Sequence, residues 1–358
     1  MLNLDDKTVV LHTPDSRMVF ESIDSLPKQF KQAFEESVRL EFPSSYKNLK
    51  KIVVCGMGGS RFTPYIIKEL FKQELDVPYI INDDYDLPGF VDDQTLVILS
   101  SYSGTTEEVL ACGKKAHQKG AKLTGISVGE NLIKFLKSIG APFYAFKPIY
   151  NPCHQPRIGF GYMIGGHLGL LMSLGYLNVS KEKIDSSIEK IPYLIRNFKF
   201  DVVKKINPAK QIAEKLYQKY PYYIVGEFLS GVGNAISNQT HETAKSISSF
   251  RIIPEMNHHL MEGLRFPLPL NREAIFIFFF SKLYSSPIQK RFMITKDVVE
   301  KYKIETVLYE LKGKNRIEQV FELLGLGSYF TMYLSALYKQ NPAIVPFVDY
   351  FKMRLREG

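Results

Sequence analysis

Lys51-Ile52-Val53-Val54-Cys55-Gly56-Met57-Gly58-Gly59-Ser60 runs apolar for four residues and then turns on glycine. A short apolar run closed by a glycine cluster is the pattern of a buried strand. Phe62 to Phe71 follows with helical spacing. The same order returns at Thr95-Leu96-Val97-Ile98-Leu99-Ser100. Polar Ser101-Tyr102-Ser103-Gly104-Thr105-Thr106 comes next, and a helical pattern runs from Thr106 to Lys119. Val77 to Ile81, Leu123 to Ser127 and Pro142 to Phe146 read as further strands, with a helix over Leu132 to Ile139. Apolar strands alternating with helices require a mostly parallel sheet covered on both faces.

Upstream, an arm reaches to about Leu49, with a helix over Ser25 to Leu40 that sets Phe30, Phe34 and Val38 four residues apart. Downstream, helical sequence continues to about Phe200. The strand-glycine-helix opening then recurs at Tyr222 to Val225, Gly226 and Leu229 to Ser246. Ala274 to Phe280 and Ile304 to Leu308 read as strands. Pro287 to Tyr302, Arg316 to Tyr338 and Ile344 to Leu355 read as helices. The expected fold class is α/β with two three-layer units. The expected division is a helical arm (1–49), a first unit (50–178), a helical connection (179–206) and a second unit with a C-terminal helix (207–358).

Composition agrees with a globular chain of this kind. The 358 residues are 45% hydrophobic and 23% charged, which suits two ordinary domains. The formal charge is +9, but lysines and acids interleave, and no basic run with aromatics traces a nucleic-acid groove. Three widely spaced cysteines, Cys55, Cys112 and Cys153, argue against a disulfide framework or zinc ribbon and suggest a reducing cytoplasm. Met1 to Asp15 lacks the pattern of a signal peptide. Ile158 to Ser180 has no formally charged residue and is long enough to span a bilayer. Its six glycines and His167 point instead to a close-packed buried helix.

Two loops carry the chemistry. Gly56 to Ser60 ends a strand and opens a helix, where glycines admit an anion to backbone amides and Ser60 adds a hydroxyl. A dinucleotide fold would need a third glycine where Arg61 stands, so an NAD(P)-dependent dehydrogenase is disfavoured. Ser101 to Thr106 sets several hydroxyls at another helix N-terminus, more than a helix cap requires. Together they suit a phosphate monoester.

With these motifs the chain resembles the sugar isomerase (SIS) domain. Pro156-Arg157, Asn238-Gln239-Thr240-His241-Glu242-Thr243-Ala244-Lys245, Glu255-Met256-Asn257-His258 and Asn341-Pro342 before a final helix with Lys352 narrow the resemblance to bifunctional phosphoglucose/phosphomannose isomerases. It covers about Lys51 to Leu355. It implies two SIS-type units with a site in the cleft between them, and an aldose-ketose isomerase acting on glucose 6-phosphate and also mannose 6-phosphate through a cis-enediol. It implies Gly59, Ser60, Ser101, Ser103 and Thr106 at the phosphate, Glu242 as base, His258 and Lys352 in ring opening, and Arg157 at the enediolate. It further implies a homodimer with His258 reaching across, and no metal or redox cofactor. The rival class is a phosphosugar sensor, which would keep the serine loop but not need Glu242, His258 and Arg157. Alternatively, His241, His258, His259 and Glu262 form a metal site. Two departures from the family pattern are Arg61, which would crowd the pocket, touch phosphate or lie along its helix, and His241, which would alter the surroundings of the base.

Overall fold

The computed structural model describes residues 2–357. Short helices α1 (Lys7–Val10), α2 (Pro14–Asp24) and α3 (Leu26–Ser37) precede the first sheet. That sheet comprises β1 (Lys51–Cys55), β2 (Tyr79–Asn82), β3 (Thr95–Ser100), β4 (Lys122–Ser127) and β5 (Tyr144–Ala145). Its order is β2-β1-β3-β4-β5 and every pairing is parallel. Its crossovers carry α4 (Gly59–Leu70), α5 (Glu107–Gln118) and α6 (Glu130–Ser138). The helices α7 (Phe160–Ser173), α8 (Lys181–Ile188), α9 (Ile191–Ile195) and α10 (Pro208–Leu216) lead to a second sheet.

The second sheet holds β6 (Tyr220–Gly226), β7 (Ser249–Ile253), β8 (Ala274–Phe280) and β9 (Glu305–Glu310) in the order β7-β6-β8-β9, again all parallel. Helix α11 (Ser230–Ala244) joins β6 to β7. Two single-turn helices, α12 (Leu260–Gly263) and α13 (Leu270–Glu273), precede β8. They are followed by α14 (Ser286–Lys301), α15 (Arg316–Leu337) and α16 (Pro346–Arg356). The expected α/β architecture with two parallel sheets is borne out. One expected element changed and one was added. The strand placed at 142–146 shrinks to Tyr144–Ala145, and a strand, β7, was not anticipated.

Apolar strands make the core. Ile52, Val53 and Val54 of β1, all of 96–99 of β3 and Ala274–Phe279 of β8 are buried. Burying such side chains contributes about 1.5–3 kcal/mol each. Helix α7 is buried on almost every side, and at 14 residues is too short to span a bilayer. Among the described residues one helix, α15, has the length and composition to cross a membrane, and its apolar window lies wholly inside the fold.

The two halves meet through α4 and α11. A Cβ on Gly231 would lie 2.6 Å from Ile66 Cα, so glycine sets the closeness of that crossing. The arrangement brings the C-terminal end of α11 toward the loops at the C-terminal edge of the first sheet.

Candidate active site

Both loops singled out in the sequence open helices that have no side-chain cap. Gly58, with φ 51°, is the N-cap of α4, and Thr106 caps α5 without a side-chain hydrogen bond to it. The Thr106 hydroxyl instead lies 2.8 Å from Ser101 Oγ, which accepts the Gly104 amide at 3.0 Å. Ser60 Oγ accepts the Tyr102 amide at 2.8 Å, leaving its own proton to donate. Ser103 is exposed, with Oγ 3.1 Å from Thr105 Oγ1. The loop is fixed from below. Gly104 has φ 70°, and a Cβ there would stand 2.5 Å from Gly129 O, so only glycine fits both the backbone and the space. Uncapped helix ends with converging hydroxyls form a site for an anion.

The second half shows what the same place looks like when filled. At the start of α14 the carboxylate of Glu227 accepts from Ser285 N at 3.1 Å and from Ser285 Oγ at 2.5 Å. The chain supplies its own anion there and leaves the serine loop of the first half open.

A second network adjoins. A Cβ on Gly59 would lie 3.5 Å from the Pro156 carbonyl, so the first loop lies against the backbone that carries Arg157. Arg157 is 2% exposed. Its Nη1 donates to Gln155 Oε1 at 2.9 Å and lies 3.4 Å from Glu242 Oε2. Nε donates to Thr243 Oγ1 at 3.2 Å, and Nη2 to Pro342 O and Ala343 O at 2.6 and 2.7 Å. Burial lowers the guanidinium from its ordinary value and Glu242 opposes that shift. An arginine starts so high that it stays charged at neutral pH.

Glu242 sits in the last turn of α11 with a half-buried carboxylate, its side chain 32% exposed. It lines a cavity of about 630 Å³ together with His241, Lys245, Ile247, Asn341 and Phe347. That volume suits a small ligand. The serine loop is not part of this lining; the link between them runs through Gly59, Pro156 and Arg157. His241, the departure beside Glu242, lines the same cavity and meets Ser248 through its ring. Arg61 points away from the loop. It donates to Asp83 Oδ2 at 2.6 Å and Asn234 Oδ1 at 3.1 Å, bridging the edge strand to α11 and leaving the loop clear.

Two expected site residues stand apart. His258 is exposed in the turn 255–258, beyond the C-terminal end of β7. Glu242 lies before the start of that strand, and β7 alone spans roughly 16 Å. Lys352 is exposed on α16 and outside the cavity lining. His259 pairs with Glu255 at 2.9 Å, and among the described residues no group of three or more His, Cys, Asp and Glu gathers as metal ligands. Lys245, to which the sequence assigns no role, lies beside the base. Its Nζ donates to Glu242 O, Asn341 O and Ile344 O.

Comparison with known proteins bears on the family and the fold. Residues 205–355 match the bacterial phospho-glucose isomerase C-terminal SIS domain. The bifunctional phosphoglucose/phosphomannose isomerase of Caldicellulosiruptor bescii is 31% identical over 95% of this chain and 99% of its own. That of Aquifex aeolicus is 27% identical over 86% and 91%. Among solved structures, a hypothetical protein from Thermus thermophilus superposes with a TM-score of 0.74 at 16% identity, covering 97% of this chain and 92% of that one. The order of the segments, the paired sheets and the full-length similarity place this chain in the bifunctional phosphoglucose/phosphomannose isomerase family, and it is an isomerase.

Proposed function

We propose that the protein interconverts glucose 6-phosphate and fructose 6-phosphate, and mannose 6-phosphate through the same cis-enediol. The observation that carries this reading is the contact between buried Arg157 and Glu242, whose partly exposed side chain lines a cavity. A carboxylate can take the proton from C2 and return it at C1. The enediolate formed between those steps is negative, and the fixed Arg157 cation is suited to stabilise it. Ser60, Ser101, Ser103, Thr106 and the backbone at Gly59 would hold the phosphate.

Ring opening needs a group that exchanges protons with the ring oxygen and the anomeric hydroxyl. We assign this to His258, with Lys352 assisting. Because His258 lies at the far end of β7 from Glu242, it would come from a second copy in a homodimer. The route moves only protons and calls for neither metal nor redox cofactor. Nucleic acid and membrane have no part in it. We keep the division at 49/50, 178/179 and 206/207, and a cytoplasmic setting in which the three buried thiols stay reduced.

The test is a coupled assay with fructose 6-phosphate that follows glucose 6-phosphate and mannose 6-phosphate separately. Turnover to either supports the reading. Phosphosugar binding without turnover would replace it with a non-catalytic sensor.

A further inference from the structure

We infer that Gln155 links the Arg157 cation to the sugar: its carboxamide oxygen is tied to the guanidinium, and its Nε2 donates to the oxygens at C1 and C2 of the substrate. This deepens the isomerase reading and rests on it.

Arg157 has no hydrogen left for that bond. A guanidinium carries five N–H groups. Nε gives its one to Thr243 Oγ1, and Nη2 its two to the carbonyls of Pro342 and Ala343. Nη1 directs one to Gln155 Oε1 and the other toward Glu242 Oε2. The buried cation therefore offers an enediolate its charge but no donor.

Gln155 supplies the donor. Arginine can only donate, so the oxygen end of the carboxamide must face Nη1, at 2.9 Å, and the amide end faces elsewhere. Gln155 is partly exposed, and among the described residues its Nε2 has no protein acceptor, so two N–H groups stand open. Accepting from a cation at one end polarises the amide and strengthens the bond it donates at the other.

The position fits this role. Gln155 Oε1 and Glu242 Oε2 share one nitrogen of Arg157, which sets the carboxamide beside the carboxylate that takes the C2 proton. The backbone of Gln155 is joined to the serine loop. Asn151, fully buried, donates from Nδ2 both to Gln155 O at 3.1 Å and to Tyr102 Oη at 2.8 Å. The amides of Ile158 and Gly159 also donate to Gln155 O, each at 3.0 Å, and the following Pro156 restricts the backbone of Gln155. Gln155 thus stands between the two networks, tied to the phosphate loop through its carbonyl and to the base through its side chain. A phosphosugar with its phosphate on the serine loop and C2 at Glu242 passes it.

The test is Gln155→Met, which keeps the length of the side chain and removes both amide atoms. For fructose 6-phosphate, kcat should fall roughly 10²-fold with KM little changed, the signature of a bond made in the transition state. Two probes separate this from a change of shape. Affinity for 5-phosphoarabinonohydroxamate, whose planar anion copies the enediolate, should fall in parallel with kcat/KM. Affinity for sorbitol 6-phosphate, which has the phosphate and hydroxyls but no such anion, should hold. If Gln155→Met melts below wild type, Gln155→Glu replaces it, since it keeps the acceptor for Arg157 and lacks the donor. Wild-type turnover in the variant, or equal losses of affinity for the two probes, would overturn the proposal. Probe binding without turnover by wild type would remove the isomerase reading instead, and the two affinities would still decide where Gln155 donates.

Discussion

The ammonium of Lys245 donates to the carbonyl oxygen of Glu242, three residues earlier, at 2.6 Å. The same nitrogen holds Asn341 O at 2.8 Å and Ile344 O at 2.7 Å, while Arg157 takes the carbonyls of Pro342 and Ala343 between them. Four consecutive carbonyls of the strap that leads to α16 are therefore fixed by two cations that flank Glu242. Lys245 does this from a left-handed backbone, φ 55°, which costs a non-glycine residue about 1 kcal/mol or more. The loss of conformational ease is offset by three hydrogen bonds and by a cation at the C-terminus of α11.

Burial, and then the nearby charge of Arg157, lower the Lys245 ammonium to about 8, with Glu242 pulling the other way. Below that pH the group has three protons for three carbonyls. Above it the amine has two, and one carbonyl loses its donor. Activity should therefore fall as pH rises through about 8. Lys245→Arg, charged throughout this range, should move that alkaline limb upward, and Lys245→Met should lower kcat at all pH values. Identical pH-rate profiles for wild type and Lys245→Arg would show that the clamp does not govern the site.

Arg157 spends its donors on four partners besides Glu242, so a lysine cannot replace it. Arg157→Lys should lower kcat by about 10²–10³, the scale of losing one preorganised donor to a developing charge. Arg157→Met should also destabilise the fold by about 3–5 kcal/mol, since buried carbonyls lose their partners. Steady-state kinetics and denaturant unfolding separate the two effects.

Ser101→Ala and Thr106→Ala remove hydroxyls that the helix caps do not use. Each should raise KM for fructose 6-phosphate by roughly 5–30-fold, equivalent to about 1–2 kcal/mol. Competitive inhibition by inorganic phosphate should weaken in parallel. Lys114→Gln, further along α5, should change neither by more than about twofold.

His167 lies beneath this loop, fully buried, with Nε2 2.9 Å from Ser100 Oγ. Ser100 Oγ donates to Ser60 O at 2.8 Å, so the imidazole must donate to Ser100 and its Nδ1 faces no partner. Burial lowers His167 to about 3. In the unfolded chain it titrates near about 6.5. The unfolded state thus binds more protons between those values. Stability from keeping His167 neutral is complete above about 6.5 and is lost as pH falls toward about 3, by up to roughly 1.4 kcal/mol per pH unit. A His167→Gln chain should lose this part of the acid sensitivity in thermal melts from pH 7 to 4.

Much of this was legible in the sequence because buried parallel strands write themselves as apolar runs. Thr95–Ser100 and Ala274–Phe280 have the bounds read from the sequence. β7 was not legible. It is an edge strand, only half buried, with Arg251 at its centre, so it lacks the apolar run of its neighbours. Helix α2 was not legible either, although Thr13 and Ser16 form a capping box at its start and Pro14 opens it. The serine loop was visible as composition. The contact of Arg157 with Glu242 was not, because it joins positions far apart in sequence through the α4–α11 crossing. Lys245 looked like one lysine among many, since nothing local announces that its targets lie near residue 341.

The most direct test is the proton itself. Fructose 6-phosphate is converted in deuterium oxide by wild type and Glu242→Gln, and the aldose product is examined by NMR for deuterium at C2. The expected result is deuterium at C2 with wild type and no detectable product or exchange with Glu242→Gln, whose binding of fructose 6-phosphate persists. Undiminished exchange at C2 in Glu242→Gln would contradict the assignment of Glu242 as the base.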